Sequence, residues 1–247
     1  MKKLNINHLE ALDYNGNEAL NTICSNLSFA GRDLKKVIIT SCTAGNGKSY
    51  LAMQIAYNLA RRGKAVLLID CDLRRSVMVS RYDIRTPDNS ELKGIAHYLA
   101  GYADLNDVVY ETNMQNLYFL PVGRDVANPV PLIDSPAFAN MLEQLSEGFD
   151  LLLLDAPPVG LVIDAAEIAA HCDGLVFVAE YNKTRRREML EAKRQIEASG
   201  CPILGCVLNQ VDFSGFAAKR YYNRSYYSHY NSEYYYSRDA SGNKVKA

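Results

Sequence analysis

The sequence predicts a three-layer α/β domain, built on a mostly parallel sheet with helices on both faces and followed by a polar, tyrosine-rich tail. Three observations point to this. Short apolar runs alternate with segments of helical period, and several of those runs are apolar at every position, as strands covered on both faces require. After Val211 the alternation stops and the composition turns to Tyr, Ser, Asn, Lys and Arg. The 247 residues are 48% apolar, enough for one substantial core.

Residues 1–35 read as an N-terminal helical segment packed on the core, with the helix itself over 17–31, before the sheet begins. The runs KVIITS (36–41), AVLLID (65–70), NLYFLPV (116–122), LLLLD (151–155), GLVFVAEY (174–181) and PILGCVLN (202–209) read as strands. Between the first two, Leu51, Ile55 and Leu59 recur at helical spacing, arginines close the last turn and Gly63 supplies the stop. A second helix fits 135–148, with Ser135 as cap, Pro136 at the first position and Phe138, Leu142 and Leu145 on one face. A third, highly charged helix fits 183–200 and ends at Gly200. Such alternation implies parallel strands joined by crossovers. The sheet domain is therefore expected over 36–213. Residues 214–247, almost without aliphatic side chains, form a tail expected to be flexible, because burial cannot offset its ordering entropy.

A net charge of −1 argues against a surface that grips nucleic acid throughout, so no nucleic-acid partner is expected, although the tail carries an excess of Lys and Arg. No apolar run approaches the roughly eighteen residues that span a bilayer, and the opening MKKLNINHLE has no apolar stretch behind its lysines, so a soluble, cytoplasmic chain is expected. Cys24, Cys42, Cys71, Cys172, Cys201 and Cys206 lie in apolar or strand-like contexts without a CxxC pair, which favours buried free thiols over disulfides or zinc.

The motif that carries chemistry is CTAGNGKS (42–49), between the first strand and the first long helix. Gly45 and Gly47 allow successive backbone N–H groups to converge on an anion at a helix N-terminus. The cradle comprises Ala44, Gly45, Asn46, Gly47, Lys48, Ser49 and Tyr50, with Lys48 reaching the terminal phosphates and Ser49 offering its hydroxyl to Mg²⁺. Cys42 stands where the strict phosphate-loop pattern has glycine, so the loop is a variant. VLLIDCDLRR places Asp70 and Asp72 at a strand's C-terminal end, two residues apart and thus on one side. LLLLDAPP places Asp155 at the end of another. Ligands of open parallel sheets bind outside those ends. Magnesium takes hard oxygen ligands, and Ser49, Asp155 and one of Asp70 and Asp72, with two phosphate oxygens, would complete its site. The other aspartate is left to orient an attacking hydroxyl.

With LLIDCDLRR, LLLLDAPP, FLPVGRDVANPVPLIDS (119–135) and the terminal tyrosine cluster together, the chain resembles a bacterial tyrosine kinase (BY-kinase) of the capsular and exopolysaccharide type, the separate cytoplasmic kinase chain of Firmicutes. The resemblance spans roughly residues 17–236. It implies a P-loop NTPase fold and an ATP- and Mg²⁺-dependent autokinase. In that family's terms Lys48, Asp70 and Asp72 are catalytic, Ser49, Asp72 and Asp155 serve the metal, and Asn209 lies where related ATPases contact adenine. It also implies a transmembrane adaptor of the polysaccharide co-polymerase type, which activates the kinase and recruits it to the inner face of the membrane, together with homo-oligomers and a tyrosine phosphatase that resets the tail. The expected phosphoacceptors are Tyr221, Tyr222, Tyr226, Tyr227, Tyr230, Tyr234, Tyr235 and Tyr236, guided by rim groups such as Arg74 and Arg75. Four departures stand out. Ala44 and Asn46 replace the family's Pro and Glu in the loop, and Asn21 and Cys24 replace the arginines of the Glu-x-x-Arg-x-x-Arg motif used in ring assembly, where only Glu18 is kept.

Other classes leave different marks. A partition or septum-positioning ATPase of the same broad fold carries a second lysine five residues before the phosphate lysine, where this chain has Thr43, and its membrane-binding members end in an amphipathic helix. A GTPase reading of NKTR (182–185) would need Asp in place of Arg185. A kinase-like binding module without activity, or a tail that holds single-stranded nucleic acid by charge and stacking, is the remaining alternative.

Overall fold

The computed structural model describes residues 1–31 and 33–212 in full, and the backbone of residues 236–238 and 244–246. The chain begins with β1 (Lys2–Ile6), α1 (Tyr14–Phe29), β2 (Lys36–Ser41), α2 (Lys48–Arg61) and β3 (Val66–Asp70). A run of short elements follows: α3 (Met78–Arg81), β4 (Ile84–Arg85), α4 (Ile95–Leu99), α5 (Leu105–Val108), β5 (Tyr110–Thr112), β6 (Leu117–Leu120) and α6 (Val130–Ile133). The main alternation then resumes with α7 (Pro136–Gly148), β7 (Leu151–Asp155), α8 (Asp164–Ala169), β8 (Gly174–Glu180), α9 (Arg186–Ser199) and β9 (Ile203–Asn209).

Nine strands form one sheet in the order β4-β1-β5-β6-β3-β7-β2-β8-β9. From β6 to β9 every neighbouring pair is parallel, whereas β1 with β4 and β5 with β6 run antiparallel. The six expected strands are present. The helix expected over 17–31 is present as α1, but the expectation that residues 1–35 all precede the sheet is corrected: β1 lies inside the sheet, beside β4 and β5. Its sequence KKLNI offers only Leu4 and Ile6 as an alternating pair, too short a signal to separate from a loop, and pairing with distant strands supplies the rest.

The strictly apolar strands divide their side chains between two cores. On one face Ile38, Leu67, Ile69, Leu152, Leu154 and Phe177 pack with Phe138 and Leu142 of α7 and Ile196 of α9. On the other, Val37, Ile39, Leu68, Leu151, Leu153 and Val178 pack against α1 and α2. Period-2 parity thus assigns Asp70, in step with Leu68, and Asp155, in step with Leu153, to the α2 face. Gly63, at φ +89°, follows α2 as expected. Ser135 stands at the N-cap of α7, but its hydroxyl donates back to the Leu132 carbonyl at 2.6 Å instead of capping.

In the separate unit formed by residues 210–247 the described backbone is an antiparallel pair, β10 (Tyr236–Arg238) with β11 (Lys244–Lys246), for which the sequence offered no signal. Tyr221, Tyr222, Tyr226, Tyr227, Tyr230, Tyr234 and Tyr235 lie outside the described residues, and of Tyr236 only the backbone is described.

Leu153 is fully buried in the central strand β7. Leu153→Ala is expected to lower unfolding stability by about 2–5 kcal/mol, read as a lower urea midpoint with an unchanged slope.

Candidate active site

In the sheet, β7 lies between β3 and β2, so its C-terminal Asp155 emerges between the loop after β2 and the acids after β3. The register pairs Asp70 directly with Asp155, and the Cys71 N–H donates to the Asp155 carbonyl at 2.8 Å. The glycine loop enters α2 through Gly45 at φ +86° and Gly47 at φ +84°, a backbone that only glycine adopts without strain. Gly47 occupies the N-cap and makes no side-chain cap, so the first N–H groups of α2 stay available to an anion.

Lys48, at the first position of α2, points across this gap. Its Nζ lies 3.2 Å from Asp72 Oδ2, 3.7 Å from Asp155 Oδ2 and 3.2 Å from Ser49 Oγ. The Lys48 and Asp72 side chains are each 11% exposed and that of Asp155 1%, so the ion cluster sits almost out of water. Burial alone would lower the Lys48 pKa, but the charges of Asp155 and Asp72 outweigh it and hold the ammonium above its ordinary value. Burial raises the Asp155 carboxyl, against the opposing pull of Lys48. Asp70 is fully buried, and burial together with the adjacent Asp155 pushes it up to about 7. Its Oδ2 accepts from the Ser76 hydroxyl at 2.5 Å and its Oδ1 from the Asp72 N–H at 3.2 Å.

Lys48, Ser49, Asp70, Asp72 and Asp155 are therefore brought together as expected. Asp155 Oδ1 is one of three buried side-chain polar atoms among the described residues without a hydrogen-bond partner. An unpaired carboxylate oxygen beside a serine hydroxyl and a second carboxylate is a set of hard donors suited to Mg²⁺ and its waters. Among the described residues no group of three or more His, Cys, Asp and Glu side chains forms a metal cage on its own, so such an ion would depend on the phosphates as well.

The remaining loop positions have structural partners that the sequence did not foretell. Asn46 Oδ1 accepts from the Thr43 N–H at 3.2 Å and the Thr43 hydroxyl at 3.0 Å, while its Nδ2 donates to Thr184 Oγ1 at 3.4 Å. Asn209, at the end of β9, donates to the Asn46 carbonyl at 3.0 Å. Ala44 is exposed at the loop tip. The Tyr50 phenol has Gln54, Glu10 and Arg81 around it, and burial raises its pKa. On the far side, Val159 N–H donates to the Ser41 carbonyl at 2.9 Å, and a Cβ on Gly160 would stand 2.3 Å from the Cys42 carbonyl oxygen.

Arg74 is not a free rim cation. Its Nε and Nη2 form a bidentate pair with Asp164 at 2.7 and 3.0 Å, and its Nη1 donates to the Ala127 carbonyl at 3.2 Å. Asp164, 1% exposed at the start of α8, carried no sequence signal as its partner. Arg75 remains exposed. The six cysteines are free thiols; Cys24, Cys42, Cys71 and Cys201 are buried, Cys172 is half-buried and Cys206 is exposed. Burial pushes Cys42, inside the loop, up to about 11, which makes it a packing residue.

Because the Asp70 carboxyl ionises near 7 in the fold against an ordinary 3.8, the folded state binds the extra proton and stability falls as the pH rises between those values. In the ligand-free protein Asp70→Asn should shrink this loss, measured as the difference in urea unfolding free energy at pH 4 and pH 7. An equal loss in both proteins would refute it.

No helix among the described residues is long and apolar enough to cross a membrane. The AAA domain family matches residues 34–182. The tyrosine-protein kinase CpsD of Streptococcus agalactiae is 40% identical over 197 residues, 80% of this chain and 84% of that protein. The kinase domain of Escherichia coli tyrosine kinase ETK superposes with a TM-score of 0.71 at 26% identity, over 80% of this chain and 78% of that one. The septum site-determining protein MinD complexed with Mg-ADP, from Pyrococcus horikoshii OT3, shares the fold at 22% identity, with a TM-score of 0.58 over 70% of this chain and 69% of that one. With a phosphate loop, a lysine held between strand-end acids and this extent of identity, the chain belongs to the bacterial tyrosine-protein kinase family.

Proposed function

We propose that the chain is an ATP-dependent autokinase that phosphorylates its own C-terminal tyrosine cluster and thereby regulates synthesis of a capsular or extracellular polysaccharide. The observation that carries this reading is the Lys48 ammonium shared by Asp72 and Asp155 at the mouth of the glycine loop, with Asp70 buried beside them. In this reading the N–H groups from Ala44 to Tyr50 hold the ATP phosphates, and Lys48 leaves its acids in part to follow the γ-phosphoryl oxygens. Ser49, Asp72 and Asp155 hold Mg²⁺, directly or through water. When bound, the ion neutralises phosphate charge as it is redistributed during transfer. Asn209, tied to the loop through the Asn46 carbonyl, would contact the adenine.

Asp70 accepts the hydrogen bond of a tyrosine phenol. The phenolic oxygen bonds to the γ-phosphorus as the bond from that phosphorus to the β,γ-bridging oxygen breaks; ADP leaves and the phenolic proton passes to Asp70. Positioning and charge neutralisation supply most of the acceleration. Each phosphate adds about −1.5 to −2 charges, so a few reverse the sign of the basic tail. The reading includes a transmembrane adaptor that activates the kinase at the inner membrane face, a phosphatase that resets it, and self-association. Against the septum-type alternative, the Thr43 side chain is bonded within its own loop.

The deciding experiment incubates radiolabelled ATP and Mg²⁺ with the wild type, Lys48→Met and a chain truncated after residue 213. Label on tail tyrosines in the wild type alone is expected, with Lys48→Met reduced at least about 100-fold. Phosphate release without protein label would instead indicate an ATPase, and neither product a binding module. Gly160→Ala, which drives a Cβ against the Cys42 carbonyl, is expected to raise the KM for ATP severalfold with a smaller change in kcat. An unchanged KM would count against the role of that loop contact in holding the cradle.

A further inference from the structure

Asp70 is fully buried, yet both of its oxygens are already held, and one of the two donors has no place in the motif. The Asp72 N–H belongs to the same turn, but Ser76 reaches Asp70 Oδ2 from six residues away, at 2.5 Å. The segment that carries Ser76 is anchored on both sides. Before it, Leu73 is 1% exposed and its carbonyl accepts from the Val126 N–H at 2.8 Å, and Arg74 is clamped by Asp164. After it, Met78 is fully buried. Between them the Arg75 N–H donates to Asp72 Oδ1 at 3.2 Å, while the flanking Arg75 and Val77 side chains are exposed. A chain fixed at both ends, turned so that its single half-buried hydroxyl faces a carboxylate, presents that hydroxyl to Asp70.

We propose that Ser76 is a positioning residue for Asp70: its hydroxyl, with the Asp72 N–H, sets the plane of the carboxylate so that the second lone pair of an oxygen faces the attacking hydroxyl. This rests on the reading of Asp70 as the group that takes the acceptor proton. A carboxylate with a single donor can rotate about its Cα–Cβ and Cβ–Cγ bonds; two donors on different oxygens, from two chain segments, remove that freedom. A misplacement of about 1 Å at a reacting group costs up to about 100-fold in rate. Loss of one donor of two, with the other retained, is expected to cost about tenfold.

The test uses the full chain with ATP and Mg²⁺ and follows both label on tyrosine and release of ADP, at varied ATP, for wild type, Ser76→Ala and Ser76→Thr. Ser76→Ala is expected to lower kcat about tenfold with the KM for ATP unchanged. Ser76→Thr, which keeps the hydroxyl, should recover kcat to within about threefold of wild type. Should Ser76→Ala fail to fold, Ser76→Cys, a weaker donor of similar size, carries the same expectation. Unchanged kcat in Ser76→Ala, or a raised KM with unchanged kcat, overturns the proposal. So does an equal loss in Ser76→Ala and Ser76→Thr when both melt with the wild type. ADP release separates the two readings. A wild type that releases ADP but labels no tyrosine removes the kinase reading, whereas a tenfold fall in its ADP release on Ser76→Ala still supports Ser76, with water as the attacking group. A wild type that neither labels nor releases ADP removes both.

Discussion

The structure turns on one buried ion cluster, the ammonium of Lys48 between the carboxylates of Asp72 and Asp155. At an effective dielectric of about 20, each such contact is worth about 4 kcal/mol of attraction. Withdrawing the three groups from water costs several kcal/mol per ion, so the cluster gains little for the fold. Its value is chemical. Three acids and one lysine leave the site short of positive charge, a deficit that in the proposed reading a magnesium nucleotide would offset with its cation while offering the lysine an anion. The surrounding architecture, from the interposed β7 to the glycine loop, keeps these groups from relaxing away from one another.

The glycine loop itself is braced by segments far apart in the chain. Thr43 and Thr184 hold the Asn46 side chain, Asn209 holds its carbonyl, and the 157–160 segment lies against Thr40, Ser41 and Cys42. A loop rich in positive-φ glycine carries high conformational entropy when free, and these contacts remove much of it before a ligand arrives. The Thr184 hydroxyl also accepts from the Glu180 N–H at 2.8 Å, which ties the loop to the end of β8. The glycine loop and the last strands of the sheet are therefore mechanically joined. Asn46, a departure from the family pattern, has become a hub of this bracing.

Much of the site could be read before any fold was known, because its elements are local. Glycine spacing, a lysine at a strand-to-helix junction and acids at the ends of all-apolar runs are properties of short windows. The errors came where a residue's meaning depends on a distant partner. Arg74 looked like a rim cation because Asp164, ninety positions later, gives no sign of pairing with it. Ser76 drew no reading from the sequence at all, since nothing local shows that it turns toward Asp70. β1 was passed over for the same reason: Leu4 and Ile6 acquire strand geometry from β4 and β5, which are themselves too short to announce themselves.

By itself, then, the sequence determined the alternation of strands and helices, the parity that puts Asp70 and Asp72 on one side, and the loop chemistry, since periodicity and backbone sterics act over a few residues. Tertiary structure alone decided the strand order that inserts Asp155 between lysine and acids, the placement of the N-terminal strand, and the partners of Arg74, Asn46 and Ser76. Those depend on which distant segments meet, and that is settled by burying two continuous apolar faces at once, a condition on the whole chain that no short window contains.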